Sequence, residues 1–205
     1  IFRQYDIRGL VADELTPEVA EGVGRAYATL ASGHLGRPAR IAVGQDNRPS
    51  SPALAESLIR GLNGAGADAV DIGTVPTPAL YWAEKTLPTD GGIQITGSHN
   101  PPEWNGIKMT LEGRSVYGDQ IQALKNAILQ REFGEGAGDS ERVDVLDRYV
   151  ADVAGRFDLG RPVKVVLDCG NGVGSLVGVE LLEALGAEVV PLYCESDGTF
   201  PNHHP

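Results

Sequence analysis

Ser98 is the residue of this chain best placed by its surroundings to carry a transferable group. It lies in Thr96-Gly97-Ser98-His99-Asn100-Pro101-Pro102, directly after the apolar run Gly91-Gly92-Ile93-Gln94-Ile95. Such a run has strand character. Gly97 is expected to permit a turn that other residues resist, and Pro101-Pro102 bar a helix from starting at once. The Ser98 hydroxyl is therefore expected on an exposed loop at the carboxyl end of a strand, where open α/β sheets hold their ligands. A neutral serine is a weak nucleophile. Phosphoryl transfer, by contrast, depends chiefly on positioning and on neutralising the equatorial oxygens. His99, Lys108 and Arg8 (in Asp6-Ile7-Arg8-Gly9) are the nearby candidates for that neutralisation. A phosphate of about two negative charges would be held by such groups together with a divalent metal. On residue types alone, Ser98 also suits a turn, His99 a surface hydrogen bond, Lys108 a solvated strand edge and Arg8 an ion pair.

The elements that must position these residues follow from periodicity and punctuation. Thr16-Pro17-Glu18 combines an N-cap, a first-turn proline and an acidic first turn, so a helix is expected from there to about residue 31. Strands are expected over 39–44, 67–73, 91–96 and 105–111, with helices over 51–64, 77–87 and 117–130. The loop between the last two strands is too short for a parallel crossover, which predicts an antiparallel pair and a mixed sheet. Gly134-Glu135-Gly136-Ala137-Gly138 reads as a flexible break. A helix is expected over 141–157, with Val143, Leu146, Val150 and Val153 on one side. The pattern then restarts: a strand at 163–168, a helix at 174–185 and a strand at 188–192. These last elements are too few to bury a full α/β core. The fold class expected is α/β, a mixed sheet flanked by helices plus the opening βαβ part of a second similar domain.

Composition narrows the function. The 205 residues are 41% hydrophobic and 22% charged, within the soluble globular range. No apolar run is long enough to span a bilayer, and Ile1-Phe2-Arg3-Gln4-Tyr5-Asp6 lacks a signal-peptide pattern. The absence of an initiator Met suggests that a few residues precede Ile1. Two cysteines, Cys169 and Cys194, make no disulfide framework, and a cytoplasmic location is expected. A net charge of −11 argues against a nucleic-acid surface. An anionic substrate would need the few cations gathered locally or a bound metal.

Five blocks, in order, carry a resemblance. They are Phe2-Arg3-Gln4-Tyr5-Asp6-Ile7-Arg8-Gly9; Val75-Pro76-Thr77-Pro78; the Ser98 loop followed by Asn105-Gly106-Ile107-Lys108; Asp168-Cys169-Gly170-Asn171-Gly172; and Asp197-Gly198-Thr199-Phe200-Pro201-Asn202-His203-His204-Pro205. Together they resemble the α-D-phosphohexomutases, and the opening and serine loop are similar to the phosphomannomutase/phosphoglucomutase branch. The resemblance implies an intramolecular phosphotransferase that interconverts hexose 1-phosphate and 6-phosphate (mannose and/or glucose) through phospho-Ser98 and a bisphosphorylated sugar. It implies that a phospho-Ser98 oxygen is one ligand of Mg²⁺. It places Arg8, His99 and Lys108 around the transferred group and Tyr5 against the substrate. It also implies a division into a first domain over 1–140, a connecting helix over 141–160 and the start of a second domain over 161–205. The remaining metal ligands and the sugar-selecting loops of the four-domain family would lie beyond Pro205, and the 205-residue chain alone is expected to show little or no mutase turnover. Gln45, in Gly44-Gln45-Asp46-Asn47-Arg48, departs from the Arg common in the family there, while Arg48 is expected to be structural.

Three other readings stand beside this one. A serine hydrolase would use Ser98 and His99, but adjacent side chains on an extended loop are expected to point apart, and no Gly-x-Ser-x-Gly elbow occurs. Gly170-Asn171-Gly172-Val173-Gly174 lacks the spacing of a dinucleotide fingerprint. The third is a non-catalytic, partner-binding domain.

Overall fold

The structure is a computed structural model describing residues 1–204; Pro205, at the end of the His203-His204-Pro205 motif, lies outside the described residues. In chain order the larger unit holds β1 (Ile7–Leu10), α1 (Pro17–Leu35), β2 (Arg40–Gln45), α2 (Ser51–Gly64), β3 (Asp68–Thr74), α3 (Thr77–Thr86), β4 (Gly91–Ile95), β5 (Trp104–Leu111), β6 (Arg114–Ser115), α4 (Asp119–Gln130) and β7 (Ser140–Arg142). The sheet order is β1-β5-β4-β2-β3-β7, with β6 on β5. β4, β2, β3 and β7 are parallel, and β5 runs antiparallel to both β4 and β1. The mixed sheet and the β4–β5 antiparallel pair are as the short connection requires.

Alternation along the strands divides the side chains between two cores. Ile41, Val43, Ile93, Ile95, Ile107 and Met109 face α1, α2 and α4, with Tyr27 and Leu58 among the fully buried residues there. Ala42, Val70 and Ile72 face α3. α1 begins as the sequence indicates: Thr16 Oγ1 accepts from Val19 N at 3.4 Å. It runs one turn further than expected and stops at Gly36, whose φ of 67° suits a glycine C-cap.

Helices α1 and α2 cross at glycine. A Cβ on Gly24 would lie 2.2 Å from the Leu58 carbonyl oxygen, and one on Gly61 2.1 Å from that of Glu21. Backbone atoms cannot swing aside as side-chain ends can, so Gly61→Val is expected to destabilise the fold by about 3 kcal/mol. A urea midpoint equal to that of the unsubstituted protein would contradict so close a crossing.

The segment expected as one helix over 141–157 is different. Ser140–Arg142 forms β7, extending the parallel edge beside β3, with Glu141 paired to Arg40 and Arg142 Nη1 2.9 Å from Asp71 Oδ2. The helix, α5, spans only Leu146–Ala154. Val143 and Leu146 do pack on the α3-side core. Their spacing signals that burial, while the open edge of β3 takes up residues 140–142, just before them, as a strand. Trp82 Nε1 donates to Asp152 Oδ2 at 2.6 Å, tying α3 to α5.

The smaller unit is β8 (Lys164–Asp168), a 3₁₀ turn (Val173–Leu176), α6 (Gly178–Ala184) and β9 (Glu188–Leu192), with β8 and β9 parallel. The helix expected over 174–185 is thus broken at Val177, where φ is −136°. β1 and β6 carry no strand signal of their own and exist because β5 offers them backbone partners. A hollow of about 810 Å³ beside His34 and Glu112 lies at the far end of β5 from Ser98 and holds none of the candidate residues. Among the described residues no helix is long and apolar enough to cross a membrane.

Candidate phosphoryl-transfer site

β2 and β4 are neighbours, yet the chain leaves β2 toward β3 on one side and β4 toward β5 on the other. Their carboxyl ends therefore flank the switch point of the sheet, where a crevice is left open. Ser98 follows β4 and Asp46 follows β2. The buried Asp46 carboxylate binds the two loops together. Its Oδ1 accepts from Arg48 N at 3.1 Å and Ser51 Oγ at 2.5 Å; its Oδ2 accepts from Arg48 Nε and Gly97 N, each at 3.1 Å.

Arg48 is the frame of the Ser98 loop. Its side chain is fully buried, and its guanidinium donates to the carbonyls of Ser98 (3.0 Å), Asn100 (2.7 Å), Pro101 (2.7 Å) and Trp104 (3.1 Å). A planar fork with five donors suits such a task, and lysine could not repeat it. The expected structural role of Arg48 thereby acquires a definite content. Gln45 turns away, donating to Thr74 Oγ1 at 3.3 Å.

This frame corrects two expectations. Gly97 does not make the turn. It supplies space, since a Cβ there would meet the Arg48 guanidinium carbon at 2.5 Å. The left-handed residue is Ser98 itself, at φ 55°, a region a serine seldom occupies. The loop is consequently not extended, and the Ser98 and His99 side chains do not point apart: Ser98 Oγ lies 3.2 Å from His99 Nδ1. Strain of this kind persists only where surrounding bonds impose it, as Arg48 and Asp46 do here. Thr96 Oγ1 accepts from Ser98 N at 3.0 Å and completes the turn.

Arg8 and Lys108 form a second group. Arg8 is paired with Gly106 on β5, and Lys108 stands opposite Gln94 on β4. Both side chains therefore share the sheet face of Thr96, beyond the cover of α3. Both reach the buried carboxylate of Asp6: Arg8 through Nε at 3.2 Å and a closer Nη2 contact, Lys108 through Nζ at 3.8 Å. Tyr5 is exposed and stacked on Tyr117, ring centroids 6.5 Å apart. Tyr5, Tyr81, Lys108 and Tyr117 line a hollow of about 350 Å³. The structure thus joins Ser98 to His99, and Arg8 to Lys108, as two adjacent groups. Neither Arg8 nor Lys108 lines the cleft that holds Ser98.

That cleft, about 270 Å³, lies between the two units, with Ser98, His99, Asp46 and Thr96 on one wall and Asp168, Cys169, Phe200 and His203 on the other. The units meet closely. Asn47 Nδ2 donates to the Asn171 carbonyl at 2.8 Å and to Ser196 Oγ at 2.9 Å, and the Arg48 guanidinium stands 5.1 Å from the Phe200 ring centre. A Cβ on Gly198 would lie 2.0 Å from the Asn47 carbonyl oxygen. His203 Nε2 lies 3.0 Å from Asp168 Oδ1, and Nδ1 2.9 Å from the His204 carbonyl. With acceptors at both nitrogens the imidazolium is favoured. The His204 carbonyl, and after it the Asp168 carboxylate, raise the His203 pKa, while His203 and the Gly170 N–H lower that of Asp168.

The signs define a pH window. A raised histidine contributes stability that is full below its ordinary value, about 6.5, and is lost as pH rises through the folded value. A lowered carboxylate contributes above its ordinary value, about 3.9, and that contribution is lost as pH falls through the folded one. The loop carrying His203 is therefore held most firmly between those two values. An NMR titration of the His203 ring should give a midpoint above that of an unperturbed histidine side chain. Asp168→Asn should lower the midpoint without returning it fully, because the His204 carbonyl remains. An unchanged midpoint in that variant would remove Asp168 from the account.

Comparison with known proteins shows the family of the chain. The family described as "Phosphoglucomutase/phosphomannomutase, alpha/beta/alpha domain I" matches residues 1–135, and its domain II matches residues 147–205. The chain belongs to the phosphoglucomutase/phosphomannomutase family. It is 47% identical over 205 residues to phosphomannomutase/phosphoglucomutase of Pseudomonas aeruginosa, covering all of this chain and 44% of that protein. It is 42% identical over 207 residues to phosphoglucomutase of Neisseria gonorrhoeae, covering 100% and 45%. A crystal structure of a phosphoglucomutase/phosphomannomutase family protein from Burkholderia thailandensis superposes with a TM-score of 0.94 at 43% identity, covering 100% of this chain and 46% of that one. The chain thus spans less than half the length of these relatives. The resemblance drawn from the five sequence blocks is borne out at the level of family and fold.

The residues that sequence reasoning passed over are Asp46, Asn171, Asp168 and His203. Asp46 and Arg48 were visible in one short block, and a buried Asp-x-Arg between a strand and a helix is the signal that was available. The other three stood inside matched blocks without a chemical role.

Proposed function

We propose that Ser98 carries a phosphoryl group and that the protein is a phosphohexomutase, interconverting the 1- and 6-phosphates of mannose and/or glucose. The observation that carries this reading is the Ser98 hydroxyl on left-handed backbone, held by the buried Arg48–Asp46 pair at the switch point of the sheet. In the forward half-reaction an oxygen of the sugar hydroxyl attacks the phosphorus of phospho-Ser98. The sugar hydroxyl gives up its proton, the Ser98 Oγ–P bond breaks, Ser98 Oγ takes up a proton, and the product is a bisphosphorylated sugar. After that sugar reorients, Ser98 Oγ takes back the other phosphate. His99 Nδ1 is within reach of the serine proton. Arg8 and Lys108 stand ready to neutralise phosphate oxygens, and Tyr5 offers a ring face to the sugar. The division into 1–140, 141–160 and 161–205 and a cytoplasmic location belong to the same proposal.

Magnesium fits this reading only through a phospho-Ser98 oxygen. Among the described residues no three His, Cys, Asp or Glu side chains converge to hold a metal. The Asp46 oxygens already serve four donors, and those of Asp168 serve His203 and Gly170. The described residues do not form a magnesium site by themselves, and no step here is routed through one. A Ser98–His99 hydrolase gains a hydrogen bond from the bent loop, but among the described residues no third group orients His99, and the family membership favours transfer to a sugar.

Incubating the 205-residue chain with a hexose 1,6-bisphosphate should add about 80 Da, one phosphoryl group, to the peptide containing Ser98. The same chain should show little sugar-phosphate interconversion. Labelling at another residue, or near-normal turnover, would overturn the reading.

A further inference from the structure

The two cysteines have no part in that chemistry, yet their sulfurs touch. Cys169 directly follows β8 and Cys194 follows β9 by two residues, and the Sγ atoms stand 3.2 Å apart. They are the only two cysteines in the 205 residues. We propose that Cys169 and Cys194 are a redox-active dithiol that closes reversibly to an intrachain disulfide beside the Ser98 cleft.

Three observations support it. First, the parallel pairing of β8 and β9 fixes the distance: Asp168 stands opposite Leu192, and Cys169 N donates to the Leu192 carbonyl at 3.0 Å. Closing the bond needs a further approach of only about 1.2 Å, to the ~2.05 Å of a disulfide. Second, the Cys194 side chain turns back onto β8, its Sγ in hydrogen-bond contact with Cys169 Sγ at 3.2 Å and 3.6 Å from the Leu167 carbonyl. Third, both residues are only partly buried, so a small reagent can reach them. Burial pushes the Cys169 thiol up to about 12; Cys194, on the loop after β9, is taken as the attacking sulfur and Cys169 as the resolving one.

The oxidant is a small-molecule disulfide. The Cys194 thiolate attacks one of its sulfurs, forming a mixed disulfide and releasing one thiolate. Cys169 then loses its proton and attacks the Cys194 sulfur, releasing the second. Two protein S–H bonds are lost, one S–S bond is formed, and two electrons reduce the small disulfide to two thiols. Cys169 lines the cleft of Ser98, and Asn171, two residues on, accepts from Asn47 beside the Arg48 frame. The state of the dithiol is thereby built into the wall facing Ser98. This inference goes beyond the phosphoryl-transfer reading and does not depend on it.

The test equilibrates the 205-residue chain in buffers of varied glutathione disulfide to glutathione ratio, quenches with acid and alkylates. The expected result is a passage from a form that takes two alkyl groups to one that takes none and is lighter by about 2 Da, reversing when glutathione is added back and independent of protein concentration. Peptide mapping without reduction should join the Cys169 and Cys194 peptides. Cys169→Ser should instead stop at a single mixed disulfide on Cys194. Two alkylatable thiols at the most oxidising ratio, glutathione retained on both cysteines, or a cross-link between chains would each overturn the proposal. None of these readouts involves Ser98, so they stand apart from any failure of the mutase reading.

Discussion

Ser98→Gly in the catalytically active protein is expected to reduce hexose-phosphate interconversion by at least about a thousandfold, roughly 4 kcal/mol of transition-state stabilisation, while leaving the fold intact. Glycine is the informative substitution because it separates the hydroxyl from the backbone. Ser98 sits at φ 55°, which a serine adopts at some cost and a glycine does not. The relief of that strain and the extra chain freedom of glycine act in opposite directions, each by about 1 kcal/mol at most. The Tm should therefore move little. Ser98→Ala removes the same hydroxyl with the strain retained and should be equally inactive. Coupled-assay turnover, intact mass and a thermal melt on both variants decide the matter. Turnover within tenfold of the unsubstituted protein in either variant would remove the serine from the chemistry.

Arg48→Met is expected to be the most damaging substitution for the fold of the loop. It strands a buried Asp46 carboxylate and leaves the carbonyls of Ser98, Asn100, Pro101 and Trp104 without their donor. Breaking a buried pair on one side typically costs about 3–5 kcal/mol, which in a chain of this size lowers Tm by roughly 10 °C. Removing both charges, as in Asp46→Asn with Arg48→Met, should cost less than the sum of the single changes, because no uncompensated charge remains. Arg48→Lys restores a charge without the fork and should fall between. A melt of Arg48→Met within 2 °C of the parent would show that the loop does not depend on this guanidinium. Phosphoryl uptake by Ser98 provides a second reading, since a loop freed of Arg48 keeps only the Asp46 and Thr96 bonds to hold its serine left-handed.

Much of the local structure was legible in the residues. Thr16-Pro17-Glu18 starts α1, the apolar runs mark β2 to β5, and the short β4–β5 connection requires antiparallel pairing. Each rests on interactions within a few residues, so the neighbouring sequence suffices to specify it. The limits appear where two segments compete on equal local terms. Residues 141–142, expected at the start of a helix, are exposed and join β3 as a strand. Residues 174–185 lose their first turn to a 3₁₀ geometry.

The sequence by itself determined the family, the α/β class and the identity of Ser98 as the residue to examine. Ordered blocks of type and spacing survive in the linear chain. Only the tertiary structure decided that Asp46 and Arg48 hold that serine, that Ser98 rather than Gly97 takes the left-handed conformation, that His99 turns toward the hydroxyl, and that Arg8 and Lys108 gather on Asp6 instead. The reason lies in the strand order. Placing β4 beside β2 brings together loops some fifty residues apart, and that order is set by how two apolar faces are covered by helices, a property of the whole sheet that no single stretch of the chain contains.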